Sequence, residues 1–212
     1  QVFEVYHGTD AEFDAFDTSD RSTDLSARNP RGENIGSFFA SKERDAKRFG
    51  PKVGKYYVGL KNPMVFKTQE DFRAFMRENS GMTPDVRDAE GFIISEGRFE
   101  NNMRKAIESA GHDGVVILNP QYSAKKDKPW VVAFDPTQIK SVNNRGTFDA
   151  NDPRILMQSA ETAGATEAEV EEARRMWAEM GTESPYFKKW AEGRQVFEVY
   201  HGTDAEFDAF DT

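Results

Sequence analysis

One segment of this sequence occurs twice. QVFEVYHGTDAEFDAFDT fills residues 1–18 and returns unchanged at residues 195–212, setting a period of 194. Periods of about 20–50 residues mark solenoids, whereas a period this long marks whole domains in tandem. The second copy is surplus to a single fold. A strand-plus-turn segment of this size cannot stand alone, because its apolar face needs partners to bury it. Three origins stay open: a fragment cut from a tandem array, a recent duplication, or an artefact of how the chain was made.

The repeat also explains the charge. Each copy carries Glu4, Asp10, Glu12, Asp14 and Asp17 or their counterparts, with no Lys or Arg. The two copies account for the formal charge of -9 and leave residues 19–194 one charge from neutral. No basic stripe remains for a phosphate backbone, so nucleic acid is an unlikely partner. No run of about 18 apolar residues is present, which excludes a membrane-spanning helix. The opening residues lack a basic stretch followed by an apolar one, so no signal peptide is expected. The chain has no cysteine, which rules out disulfides and thiolate chemistry and fits a reducing compartment.

Apolar patterning gives the elements. Val2–Tyr6 reads as a buried strand ending at His7-Gly8-Thr9. Residues 19–35 read as a long surface loop rich in Ser, Asp, Asn, Gly and Pro. A helix is expected near 41–49, strands over 55–60 and 64–66, and a helix over 69–78 capped by Thr68. Phe99, Met103, Ala106, Ile107 and Ala110 predict a helix over 97–110 that Gly111 ends. Strands follow at 115–118 and 130–134. Thr166 and Glu169 form a capping box for a helix near 167–180. Ser184-Pro185 starts a short helix carrying Phe187 and Trp190. The order is α+β, with helices inserted into a strand-rich body.

Three separated pieces carry chemistry together: Tyr6-His7-Gly8-Thr9, then Gly36-Ser37-Phe38-Phe39-Ala40-Ser41 with Phe49 eleven residues after Phe38, then strand 130–134 with Asp135-Pro136-Thr137-Gln138-Ile139. In this combination the chain resembles the His-containing branch of the ADP-ribosyltransferases, that of diphtheria-type toxins and poly(ADP-ribose) polymerases. It most resembles the ADP-ribosyltransferase-like domains of polyvalent phage and prophage proteins. The segments QIKSVNNRGTFDANDPRIL (138–156) and SPYFKKW (184–190) resemble that group's flanks.

The resemblance implies two packed, mainly antiparallel sheets with inserted helices, and NAD+ as substrate. It gives His7 a ribose hydroxyl, and Gly8 a backbone grip on the carboxamide, which a residue without Cβ permits. Thr9 and Ser37 complete the ligand-binding set, and Phe38 and Phe49 sandwich the nicotinamide. The sandwich favours departure of neutral nicotinamide as positive charge develops on the ribose. Active members carry a glutamate at the head of the late strand; here Lys128-Pro129-Trp130 stands there. Gln138, Asp127 or nothing replaces it, with Gln138 the best catalytic partner for His7. An amide hydrogen-bonds a ribose but cannot serve as a general base near neutral pH.

The expected organisation is an ADP-ribosyltransferase-like domain over 1–156, a helical connector over 157–194 whose aromatics dock on a domain, and the start of a second copy at 195–212. The expected activity is mono-ADP-ribosylation of a host macromolecule, a protein by preference, in the cytoplasm of a bacterial host. The alternative is a catalytically silent interaction module. With only His7, His112 and His201, no histidine-rich metal site is expected; His112 is expected to cap a helix end. Residues 195–212 are expected to pair with another chain by strand swapping, with His201 completing the neighbour's site.

Overall fold

A computed structural model describes residues 2–9, 13–19, 35–47, 52–82, 86–87, 93–95, 99–101, 103–120, 129–144, 146–156 and 166–194. Strands β1 (Val2–Thr9), β2 (Ser37–Ala40), β3 (Lys52–Gly59), β4 (Met64–Thr68), β9 (Gly114–Asn119), β10 (Trp130–Ala133) and β11 (Ile139–Ser141) form one sheet in the order β11-β3-β1-β2-β10-β9-β4. All pairs are antiparallel except β4 with β9. Two small ribbons complete the β structure: β5 (Ser80–Met82) with β8 (Phe99–Asn101), and β6 (Val86–Arg87) with β7 (Ile93–Ser95). Strand β1 ends on His7-Gly8-Thr9, with His7 opposite Gly54 and Thr9 opposite Lys52.

One core cluster runs across the large sheet. Tyr56 and Val58 of β3 share this cluster with Phe39 of β2, Val131 and Ala133 of β10 and Val116 of β9. The Phe39 and Tyr56 rings stand 6.0 Å apart, with Phe16 wedged against both. The expected α+β organisation, mainly antiparallel strands with inserted helices, is present, and β11-β3-β1 and β2-β10-β9-β4 are the halves of the sheet on either side of the β1–β2 pair.

Strand alternation sends the remaining side chains to the opposite face of the second half. There Val115, Ile117, Val132 and Phe134 pack against Phe72 of α2 (Gln69–Asn79) and Met103 and Ile107 of α3 (Met103–Ser109). Because β9 and β10 are buried on both faces, they read as unbroken apolar runs.

Local signals set the helix ends. Thr68 Oγ1 accepts from Asp71 N at 3.1 Å while Asp71 Oδ2 accepts from Thr68 N at 3.0 Å, so α2 begins in a reciprocal cap. At the end of α3, Gly111 N donates to Glu108 O and His112 N to Ile107 O, with Gly111 at φ +85°. That is the Schellman arrangement, which needs a left-handed residue. The His112 ring meets the carbonyl of Asn62 at 3.0 Å, away from the helix's own carbonyls. The start of α3 corrects the expected helix over 97–110. Residues 99–101 pair with 80–82 as a strand, which satisfies their backbone before a helix turn is made. Helix α1 is the single turn Glu43–Ala46 of the helix expected near 41–49; Phe49 lies outside the described residues.

Helices α4 (Glu167–Met180) and α5 (Pro185–Ala191) begin where the caps predict, at Thr166 with Glu169 and at Ser184. They pack on the outer face of β3. Phe148, Phe187 and Trp190 form a cluster with Tyr57, Trp177 and Ala150 around it. Trp190 Nε1 donates to Thr137 O at 3.2 Å, and Arg194 Nη1 to Gly59 O at 3.1 Å. Gly146, at φ +93°, lets this surface close: a Cβ there would lie 2.3 Å from Ala173 O in α4.

Candidate functional site

Strand β1 pairs along its whole length with β3, yet its register with β2 consists of one position, Tyr6 opposite Ala40. The antiparallel direction then sends His7-Gly8-Thr9 along one lip and Phe39-Phe38-Ser37 along the other. Alternation turns the backbone N–H and C=O of either Gly8, or both His7 and Thr9, toward the β2 side. The sheet is held together least at this seam, between the first two pieces singled out in the sequence.

The β2 lip is built against β10, with Phe38 opposite Val132 and Ser37 opposite Ala133. Gly36 allows this approach, because a Cβ there would meet Ala133 O at 2.4 Å. Ser37 is buried and its Oγ donates to Asp17 O at 3.2 Å. Phe39 is core, while Phe38 is half-buried on the other face beside half-buried Trp130. At the head of β10, Pro129 is buried and its carbonyl accepts from Ser41 Oγ.

Gln138 has a different place from the reacting one expected of it. It is 5% exposed, and both ends of its amide are engaged. Oε1 accepts from Phe134 N at 2.9 Å and Asp135 N at 3.0 Å; Nε2 donates to Asp113 O at 2.8 Å and Asp113 Oδ2 at 3.2 Å. Asp113 in turn accepts from Lys61 N and Asn62 N. Gln138 is thus a positioning residue that latches the end of β10 to the turn before β9. A fully satisfied buried amide keeps nothing for a ribose. Asp127, the other sequence candidate, lies outside the described residues.

Three polar residues gave no signal in the sequence. Asp45, 2% exposed, lies on α1, which packs against β1 and β2; among the described residues its Oδ1 has no hydrogen-bond partner, and Arg44 Nε stands 3.8 Å from it. Buried unpartnered carboxylate atoms are rare in folded chains. Arg104 sits under Phe134, with its guanidinium carbon 4.8 Å from the ring centroid. It donates to the carbonyls of Thr18, Ile35 and Phe134, clamping both ends of the loop expected at 19–35. Lys140, 1% exposed, donates to Asp152 O and Arg154 O. Burial pushes its ammonium down to about 8, against the opposing pull of Asp152 and Asp149.

A separate open cavity of about 490 Å³ lies between the turn after β11 and α4, lined by Val142, Asn143, Asn144, Arg174 and Trp177. Among the described residues, no cluster of three or more His, Asp or Glu could hold a metal ion, and no helix is long and apolar enough to cross a membrane.

No curated protein and no solved structure matches the chain. Residues 1–148 match the family described as ADP-ribosyltransferase in polyvalent proteins. That span holds both lips of the seam, the late strand and Gln138, and enzymes of this class use NAD+ as substrate. The chain belongs to the ADP-ribosyltransferases of polyvalent proteins.

Proposed function

We propose that this chain transfers one ADP-ribose from NAD+ to a protein of the bacterial host, in the cytoplasm, with the dinucleotide lying along the seam between β1 and β2. The carrying observation is the single pair Tyr6–Ala40, past which the His-Gly-Thr strand end faces Ser37-Phe38. An opening between two strand edges offers fixed backbone donors and acceptors to a carboxamide. Phe38, half-buried on the β2 lip, offers an aromatic face to the nicotinamide, and the resemblance assigns the second face to Phe49, which lies outside the described residues. His7 and Thr9 take the ribose side. In the reaction the bond from nicotinamide nitrogen to ribose C1′ breaks and its electron pair leaves with nicotinamide. The acceptor's nucleophile bonds C1′ and releases a proton. Gln138 acts at a distance, by fixing β10 beneath the β2 lip.

Calorimetric titration with NAD+ tests the site. His7→Ala, made together with the same change at its repeat counterpart His201, should weaken binding by about 1–3 kcal/mol, the loss of a buried hydrogen bond. An unchanged affinity in a folded variant removes His7 from the site. Incubation with labelled NAD+ and host lysate then tests transfer.

A silent NAD+- or protein-binding module is the second reading. Its support is the locked amide of Gln138 together with Pro129-Trp130 at the head of the late strand. Nicotinamide release no faster than in buffer, with NAD+ binding intact, selects this reading over the transferase.

A further inference from the structure

The repeat leaves one chain with two copies of the same strand and, in the structure, one slot for it. The slot is the edge of β3, where β1 enters with Val2 opposite Gly59 and leaves with Thr9 opposite Lys52. The chain returns to that entrance at its other end. Arg194 Nη1 donates to Gly59 O at 3.1 Å, and a Cβ on Gly59 would lie 2.7 Å from Arg194 Cδ. In the repeat, residue 194 is to Gln195 what the residue before Gln1 would be to Gln1. The structure thus sets the residue preceding the second copy beside the start of the first copy's slot. Two extended residues span about 7 Å, enough to bring Val196 from Arg194 to the position opposite Gly59. The direction is also correct, since the slot is filled from Gly59 toward Lys52.

The repeated stretch holds what the slot requires. Beyond the eight strand residues, copy one contributes Phe13 and Phe16 to the core cluster across the sheet. It also contributes Asp14 O, which accepts from Ile155 N at 2.7 Å, and Ala15, which bridges to Arg154. Phe207, Asp208, Ala209 and Phe210 repeat these four types at the same spacing. Because the two copies offer the slot the same side chains, chain closure sets the balance between them: copy one enters ahead of residues 19–35, copy two directly from the docked Arg194.

We propose that residues 195–212 exchange with residues 1–18 in the β3 slot of the same chain, so that the fold has two frames and His201-Gly202-Thr203 replaces His7-Gly8-Thr9 in the second. In a tandem array the same geometry lets each strand close either the unit before it or the unit after it. The proposal rests on folding geometry and does not require NAD+ binding.

The natural absence of cysteine allows a direct test on the full chain. Tyr6 stands opposite Lys55, so the pair Lys55→Cys/Tyr6→Cys reports the first frame and Lys55→Cys/Tyr200→Cys the second. Opposed residues on antiparallel strands lie within disulfide reach. Under mild oxidation both double variants should form a disulfide within one chain, identified by peptide mass mapping. A Tyr200→Cys variant that stays reduced while its Tyr6→Cys counterpart closes overturns the proposal. So does one that crosslinks only between chains, which selects a strand-swapped dimer. Proline substitutions give a second readout, because each fixes φ at about −65° and disfavours a central strand in one copy. Val5→Pro and Val199→Pro should each keep a cooperative thermal transition, and the combined variant should lose it. Either single variant unfolding as fully as the double overturns the proposal.

Discussion

The seam between β1 and β2 and the outer face of β3 are built on opposite terms. The first is joined at one residue pair and lined by half-buried Phe38. The second is a closed aromatic cluster, with Phe148 centred 4.7 Å from Trp177 and 5.1 Å from Phe187, pinned by hydrogen bonds from Trp190 and Arg194. The contrast teaches where stability and function are separated. Helices α4 and α5 close the outer face of β3, whereas its neighbour β1 stays loosely joined to β2, and functional segments are drawn from the least stable parts of a fold.

The largest expected effect comes from breaking the packed side. Trp190→Ala should cost about 3–5 kcal/mol, since the ring is 1% exposed and the cavity cannot collapse within a rigid cluster. Urea unfolding measures it, and NAD+ affinity of the folded variant should stay within about twofold if the two regions are independent. A large affinity loss would merge them.

Lys140 sharpens the same side through pH. Its ammonium, held at about 8 by burial against an ordinary 10.5, is charged in both states below pH 8, where its burial cost is carried in full. Between about 8 and 10.5 the folded state releases its proton first, so stability rises with pH, by on the order of 3 kcal/mol. Tyr56 and Tyr57, pushed up by burial, oppose this rise at the alkaline end. Urea midpoints taken at steps through this window should climb in the native chain and flatten in Lys140→Met. A slope unchanged by the substitution would assign it to another group.

Gln138→Ala tests the latch between the regions. Leaving Phe134 N and Asp113 O unpartnered should cost about 1–3 kcal/mol of stability. Nicotinamide release should fall less than for His7→Ala made together with His201→Ala. A greater fall, at unchanged stability, would return Gln138 to the reacting group.

The smallest effect belongs to the seam itself. Phe38→Ala should weaken NAD+ binding by about 1 kcal/mol through lost stacking. The thermal midpoint should move less than for Trp190→Ala. The reverse order would make Phe38 an ordinary core residue.

The sequence made legible whatever is encoded within a few residues. Thr68, Thr166, Gly111 and Ser184 announced helix ends because capping is local, and the apolar runs of β9 and β10 announced strands buried on both faces. Pairings between distant segments were not legible. Phe99 fitted a helical stripe, and only Met82 opposite it makes it a strand residue. Phe38 and Phe39 are equivalent as letters; the register with β10 decides which faces the core. Gln138 looked like a reacting group because nothing in its neighbourhood reveals that Asp113, twenty-five positions earlier, receives its amide. Asp45 and Lys140 lie in segments whose burial depends on elements elsewhere in the chain.

Arg104 has an evolutionary consequence. One guanidinium donates to the carbonyls of Thr18 and Ile35 and so fixes both anchor points of the loop expected between them, whatever its number of residues. Doubling the length of such a loop costs only about 0.6 kcal/mol in closure entropy. Insertions between these anchors would leave the spacing of the sheet untouched. Arg104 thereby turns that stretch into a replaceable cassette, able to diverge rapidly on a scaffold that cannot.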